Sequence, residues 1–258
     1  LHRLITILIF CSTSILYGQP NASELIEEGV ALNDQGKYQE ATSKYDKALL
    51  ADGKNLHALA EKAYSQMGMQ EYKLAIATCK KALKIKVEEK EPLKLIYITY
   101  ANALDLSGKP KEAIKIYDKG LTEYPGFYSL LYNKGVTLSG MGNWDEAISC
   151  FQKSAKANPS HGSTYLALGR SLGTKKQNIP ALLSYLRFRI IEPDSPRSKK
   201  NFEMIQELMF SNIEKTGDHS ISITLPSQSL EEMGSAEKTE YSFRSIELIL
   251  SMQSALDL

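Results

Sequence analysis

Trp144-Asp145-Glu146-Ala147 returns, with changes, four more times along the chain: as Tyr38-Gln39-Glu40-Ala41, Tyr72-Lys73-Leu74-Ala75, Pro110-Lys111-Glu112-Ala113 and Asn178-Ile179-Pro180-Ala181. Successive alanines stand 34, 38, 34 and 34 residues apart (75−41, 113−75, 147−113, 181−147). A fixed period near 34 is the mark of stacked helix-turn-helix units, each too small to bury its own apolar face. The 38-residue interval carries four extra residues, placed in the charged stretch from Ile85 to Pro92, where a loop lengthens at little entropic cost.

Working outward from each alanine, an apolar residue sixteen positions earlier is followed four later by a small one, and usually by another apolar residue. The sets are Leu25, Gly29, Leu32; Leu59, Ala63; Tyr97, Ala101, Leu104; Leu131, Gly135, Leu138; and Tyr165, Gly169, Leu172. That spacing lines one face of a first helix, with the small residue where a neighbour approaches closest. A second helix opens near the alanine and carries Tyr45, Cys79, Tyr117, Phe151 or Tyr185 four positions on, to wedge between helices. Gly36, Gly108 and Gly142 precede second helices, and Pro125, Pro159 and Pro193 follow them, as residues that turn or stop a helix should.

These residues resemble the tetratricopeptide-repeat family over positions 22 to 194. Pro110 in place of an aromatic, Gly120 and Ser154 in place of alanine, and Lys175-Lys176 in place of a turn glycine depart from its pattern. The expected fold is all-α: a right-handed α-solenoid of five helix-turn-helix repeats. Ser195-Pro196 reads as an N-cap with proline in the first turn, and Phe202, Ile205, Leu208, Met209 and Ile213 form an apolar stripe, so 195–216 is expected to be a capping helix. Residues 217–258 are a tail or the start of a further domain. Ile221, Ile223 and Leu225 alternate as in a strand, and Phe243, Ile246, Ile249, Leu250 and Leu256 make a weak helical stripe. The apolar finish and the non-methionine start suggest a piece of a longer protein, in which the repeats would be an accessory arm of an enzyme or transporter.

The first eighteen residues read as an export signal. His2 and Arg3 precede an apolar run from Leu4 to Phe10, which softens at Cys11-Ser12-Thr13-Ser14, short of the ~20 apolar residues a span requires. Phe10 before Cys11 does not suit a lipoprotein signal. Removal would leave a chain without an integral membrane span, in the periplasm or at the cell envelope. Cys79 and Cys150 then remain, two repeats apart, and read as packing residues rather than a disulfide.

Chemistry is hard to place on this sequence. Thirty-one Lys and Arg against thirty Asp and Glu give no broad basic footprint for nucleic acid. His57, His161 and His219 are scattered, no phosphate-binding loop is present, and Glu27-Glu28, Glu88-Glu89 and Glu231-Glu232 are sequence neighbours that point apart on a helix. No cofactor, metal or catalytic set is expected.

What the family resemblance implies is a concave groove lined by first helices, holding a peptide or protein partner. Its candidates are Ile26, Val30 and Asn33; Ala60, Tyr64 and Met67; Ile98, Asn102 and Asp105; Tyr132, Val136 and Ser139; and Leu166 and Arg170. Ile26 and Val30 stand where one subset of the family places a carboxylate clamp, so that clamp is absent, although Asn102 could hold a backbone amide and Arg170 a carboxylate. Tyr64 and Tyr132 can equally be read as packing residues, since aromatics at helical spacing commonly belong to a core.

Overall fold

Asn21 accepts a hydrogen bond from the Glu24 amide at 2.9 Å while the Glu24 carboxylate accepts one from the Asn21 amide at 3.2 Å, a capping box that starts the first helix. The computed structural model describes residues 21–86, 91–210, 213–217 and 220–223. The proposed export signal and most of the C-terminal tail, including Leu225 and the stripe from Phe243 to Leu256, lie outside them.

Two compact units divide between Lys86 and Val87. The first holds α1 (Ala22–Asp34), α2 (Tyr38–Ala51), α3 (Leu56–Gly68) and α4 (Tyr72–Ala82). The second holds α5 (Glu91–Leu106), α6 (Pro110–Glu123), α7 (Tyr128–Gly140), α8 (Trp144–Ala157), α9 (Gly162–Thr174), α10 (Asn178–Ile191) and α11 (Pro196–Phe210), followed by β1 (Ile213–Gly217) and β2 (Ser220–Ile223). All five second helices begin three residues before their repeat alanine. Within each unit a first helix packs on its own second helix and on the first helix of the next repeat, which is α-solenoid stacking.

The boundary coincides with the 38-residue interval. Glu91 and Pro92, expected in a loop, open α5, which has 16 residues where every other first helix has 13. Conversely α4 has 11 residues where every other second helix has 14. A whole helical turn has thus moved across the insertion. Proline is compatible with a helix's first turn, where its missing N–H has no partner to lose.

Packing follows the small-to-aromatic pattern. A Cβ on Gly29 would lie 2.4 Å from Tyr45 Cε1, one on Gly135 2.6 Å from Phe151 Cε1, and one on Gly169 2.4 Å from Tyr185 Cε1. These three rings are buried, each seated on bare helix backbone. Ala63 stands at the same position in the second repeat, whose wedge residue is the smaller Cys79.

The turns share one geometry. Gly36, Gly108 and Gly142 have φ of +74°, +82° and +79°, and the equivalent Gln70 and Lys176 have +62° and +58°. Two repeats therefore place a side chain in the left-handed region, which costs an L-residue about 1–2 kcal/mol. The extra unfolded-state freedom of glycine returns part of that. Lys176→Gly should raise stability by about 0.5–1 kcal/mol in urea unfolding. A loss of stability would show that the Lys176 side chain makes contacts outweighing the strain.

The second unit ends differently from the sequence expectation. Ser195 caps α11, its hydroxyl accepting from the Ser198 amide at 3.2 Å, but the helix stops at Phe210. Residues 213–217, of which 213–216 were expected to continue the capping helix, form β1 and pair antiparallel with β2, Ile213 opposite Ile223 and Lys215 opposite Ile221. The alternation seen at Ile221 and Ile223 supplies a ladder partner for the segment before it, and that ladder replaces the last helical turn.

Candidate interaction surface

The positions ten, six and three residues before the left-handed turn residue define what each first helix offers. In the first unit most of the expected groove residues serve packing. Ile26 is buried with Leu25, Ala41, Tyr45, Ala48 and Ala58, and Val30 is half-buried against the same cluster. Ala60 is buried, and Tyr64 is 40% exposed. Asn33 is buried, with Nδ2 donating to Tyr45 Oη at 2.9 Å and Oδ1 accepting from Ser65 Oγ at 2.6 Å. Burial and the nearby Glu61 carboxylate hold the Tyr45 hydroxyl well above the ordinary tyrosine range, so it remains a neutral partner for Asn33.

In the second unit α5, α7 and α9 lie side by side and set the equivalent residues in a row. Val136 is 42% exposed and Arg170 is exposed; they occupy one repeat position on α7 and α9. Ile98 and Asn102 are half-buried on α5, and Asn102 Oδ1 accepts from Tyr117 Oη. That bond turns the Asn102 NH2 into the free end of its amide. Tyr132 is half-buried, its ring 6.0 Å from Phe151 and 4.9 Å edge-on from His161. Leu166 is buried with Leu182, Tyr185, Phe188 and Ile205, the last contributed by α11. Arg197 fastens that same helix, donating through Nη1 to Ser163 Oγ at 3.0 Å and through Nη2 to Glu192. Burial, and next the Arg197 cation, pull the His161 imidazole below its ordinary range, with Glu192 opposing.

Three of the polar residues expected to face a ligand, Asn33, Asp105 and Ser139, instead join neighbouring first helices. Besides Ser65 to Asn33, Thr137 Oγ1 donates to Asp105 Oδ2 at 2.7 Å and the hydroxyls of Ser139 and Ser171 lie 3.4 Å apart. Each pair is separated by 32 residues. Aligning the repeats at 34 compares like positions and passes over bonds between positions two apart; a search at period 32 would have found them.

Ion pairs repeat in the same way. Lys62 with Asp46 and Lys134 with Asp118 bind a first helix to the preceding second helix at one repeat position in both units. Cys79 and Cys150 are buried free thiols, and burial raises Cys79 to about 12, so neither is a reactive thiolate at neutral pH. Among the described residues no three His, Cys, Asp or Glu side chains could hold a metal, and no helix is long and apolar enough to cross a membrane.

Residues 128–161, which are α7, α8 and the turn after them, match the tetratricopeptide-repeat family model. That helix pair is a tetratricopeptide repeat. Solved structures show the same fold. One is PilF of Pseudomonas aeruginosa, at 21% identity and TM-score 0.61, covering 74% of this chain and 89% of that one. Another is PilW, described as a widely conserved type IV pilus biogenesis factor, at 20% identity and TM-score 0.60, covering 74% and 91%. A third is YrrB, described as a tetratricopeptide protein with an unusual peptide-binding site, at 21% identity and TM-score 0.50, covering 71% and 92%. No curated protein sequence matches the chain.

Proposed function

We propose that the chain is a non-catalytic scaffold of the cell envelope that holds a peptide or protein partner on the first-helix face of its tetratricopeptide repeats. The observation that carries this reading is the accessible row on the second unit: Val136 and Arg170 exposed at one repeat position, flanked by half-buried Tyr132, Ile98 and Asn102. An apolar shelf with one cation at its edge and a free amide NH2 at the other suits an extended backbone bearing an apolar side chain and a carboxylate. Tyr64 is the accessible counterpart on the first unit. Ile26, Asn33 and Leu166 support this surface from below rather than meeting the partner. The envelope location is supported by the signal-like residues 1–18 and by the likeness to PilW, whose description is pilus biogenesis.

Site-specific photocrosslinking tests it. A benzoylphenylalanine at Val136 should yield a discrete partner adduct in cells, and Arg170→Glu should remove it. The same probe at Gln152, exposed on α8, should yield none. An adduct at Gln152 but not at Val136 would place the partner elsewhere.

A further inference from the structure

We propose a second binding site on the first unit, on its second-helix side, for an acidic segment that inserts one apolar side chain. Helices α2, α3 and α4 border an open hollow of about 330 Å³. Its apolar lining is Leu49, Leu50 and Leu59, and its polar lining is Thr78, Lys81 and the Lys62–Asp46 ion pair. That volume sits at the small end of the ~300–1,000 Å³ typical of ligand pockets. It admits a large apolar side chain. None of these residues belongs to the first-helix face described above.

The repeat register shows what sets this place apart. Leu50 is 87% exposed, and the next three repeats hold Lys84, Thr122 and Lys156 at its position. Leu74 is 52% exposed where the first, third and fourth repeats carry Glu40, Glu112 and Glu146. Lys80 stands where the first and third carry Asp46 and Asp118. Both positions at which more than one other second helix carries an acid have thus lost it in α4. From Tyr72 to Lys86 the chain has Lys73, Lys80, Lys81, Lys84 and Lys86 and no acidic residue. Among the described residues the ion pairs of this unit, Lys44–Glu28 and Lys62–Asp46, use none of these lysines.

Leu50 lining an apolar hollow, with Leu74 also exposed on α4 and Lys80, Lys81 and Lys84 outside the unit's ion pairs, matches a partner of the opposite pattern. A leucine, isoleucine, methionine or phenylalanine would fill the pocket while neighbouring carboxylates lie over Lys80, Lys81 and Lys84. A flat anionic bilayer would reach the lysines and leave the recessed apolar surface unfilled. The pocket therefore favours a peptide. In the second unit the equivalent rung has Thr122 for Leu50 and a helix, α8, bearing Asp145 and Glu146, which makes it an internal control.

The full chain, immobilised, is panned against a random 12-residue peptide library, and enriched peptides are labelled and titrated by fluorescence anisotropy. Enrichment should converge on an apolar residue beside at least two Asp or Glu. Leu50→Asp and Lys81→Glu, both at accessible positions and checked by circular dichroism, should each weaken binding about tenfold or more, and added salt should do likewise. Thr122→Asp should leave it unchanged. The proposal is overturned if no peptide is enriched, or if enriched peptides lack acids. It is equally overturned if their binding is lost in Val136→Glu but not in Leu50→Asp, or if only phosphatidylglycerol vesicles bind.

Discussion

A Phe151→Ala variant should lose about 3–5 kcal/mol of stability in urea unfolding of the second unit. The ring is buried among Leu138, Ala147, Ile148, Cys150, Leu168, Leu172 and Ala181, so its removal forfeits both transfer free energy and close packing. Collapse around the gap is resisted on one side, because Gly135 presents backbone with no side chain to move in. The effect reaches the proposed surface as well, since the Tyr132 ring rests against Phe151 and would lose that support. Phe151→Leu keeps part of the volume and should lose roughly half as much. A loss below about 1 kcal/mol for alanine would mean that the repeats close up freely, against the close packing inferred for their interior.

Gly135→Val should also destabilise, by about 2–3 kcal/mol, and its sign separates two explanations of the glycine. Helix propensity alone favours replacing a mid-helix glycine, by up to about 1 kcal/mol for alanine and less for valine. Packing argues the other way, because a Cβ there would sit 2.6 Å from Phe151 Cε1 and 2.8 Å from Cδ1 of a ring held on every side. Atoms at the rim of a buried ring cannot retreat without shifting α7 from α8. The two sites should couple: Gly135→Ala combined with Phe151→Leu should cost less than the sum of the single changes. Strict additivity, or a stabilised Gly135→Val, would remove close approach as the reason for glycine at this position.

The same small-to-aromatic pairing explains why so much of the fold could be read from residue types alone. Gly29 with Tyr45, Gly135 with Phe151 and Gly169 with Tyr185 are each sixteen residues apart, within one helix pair, so their geometry is set by local spacing and a short turn. The left-handed turn position was visible as glycine in three repeats and concealed in two, where Gln70 and Lys176 adopt the same backbone without the residue that announces it. On the first helices the sequence did not show which polar side chains find partners in the next repeat. Asn33, Asp105 and Ser139 looked like polar groups awaiting a partner, and each is engaged by Ser65, Thr137 or Ser171 of the next repeat.

Period, the starts of the second helices and the small-to-aromatic contact within a helix pair follow from the amino-acid sequence by itself, because helical spacing and turn chemistry act over a few residues. Tertiary structure alone decided that Val136 and Arg170 remain accessible while Ile26 and Leu166 are covered, that α5 takes up the turn α4 gives up, and that Ile213–Gly217 becomes a strand. Those outcomes depend on how one repeat lies against another and on which distant segment offers hydrogen-bond partners, a competition between alternatives that no single stretch of chain contains.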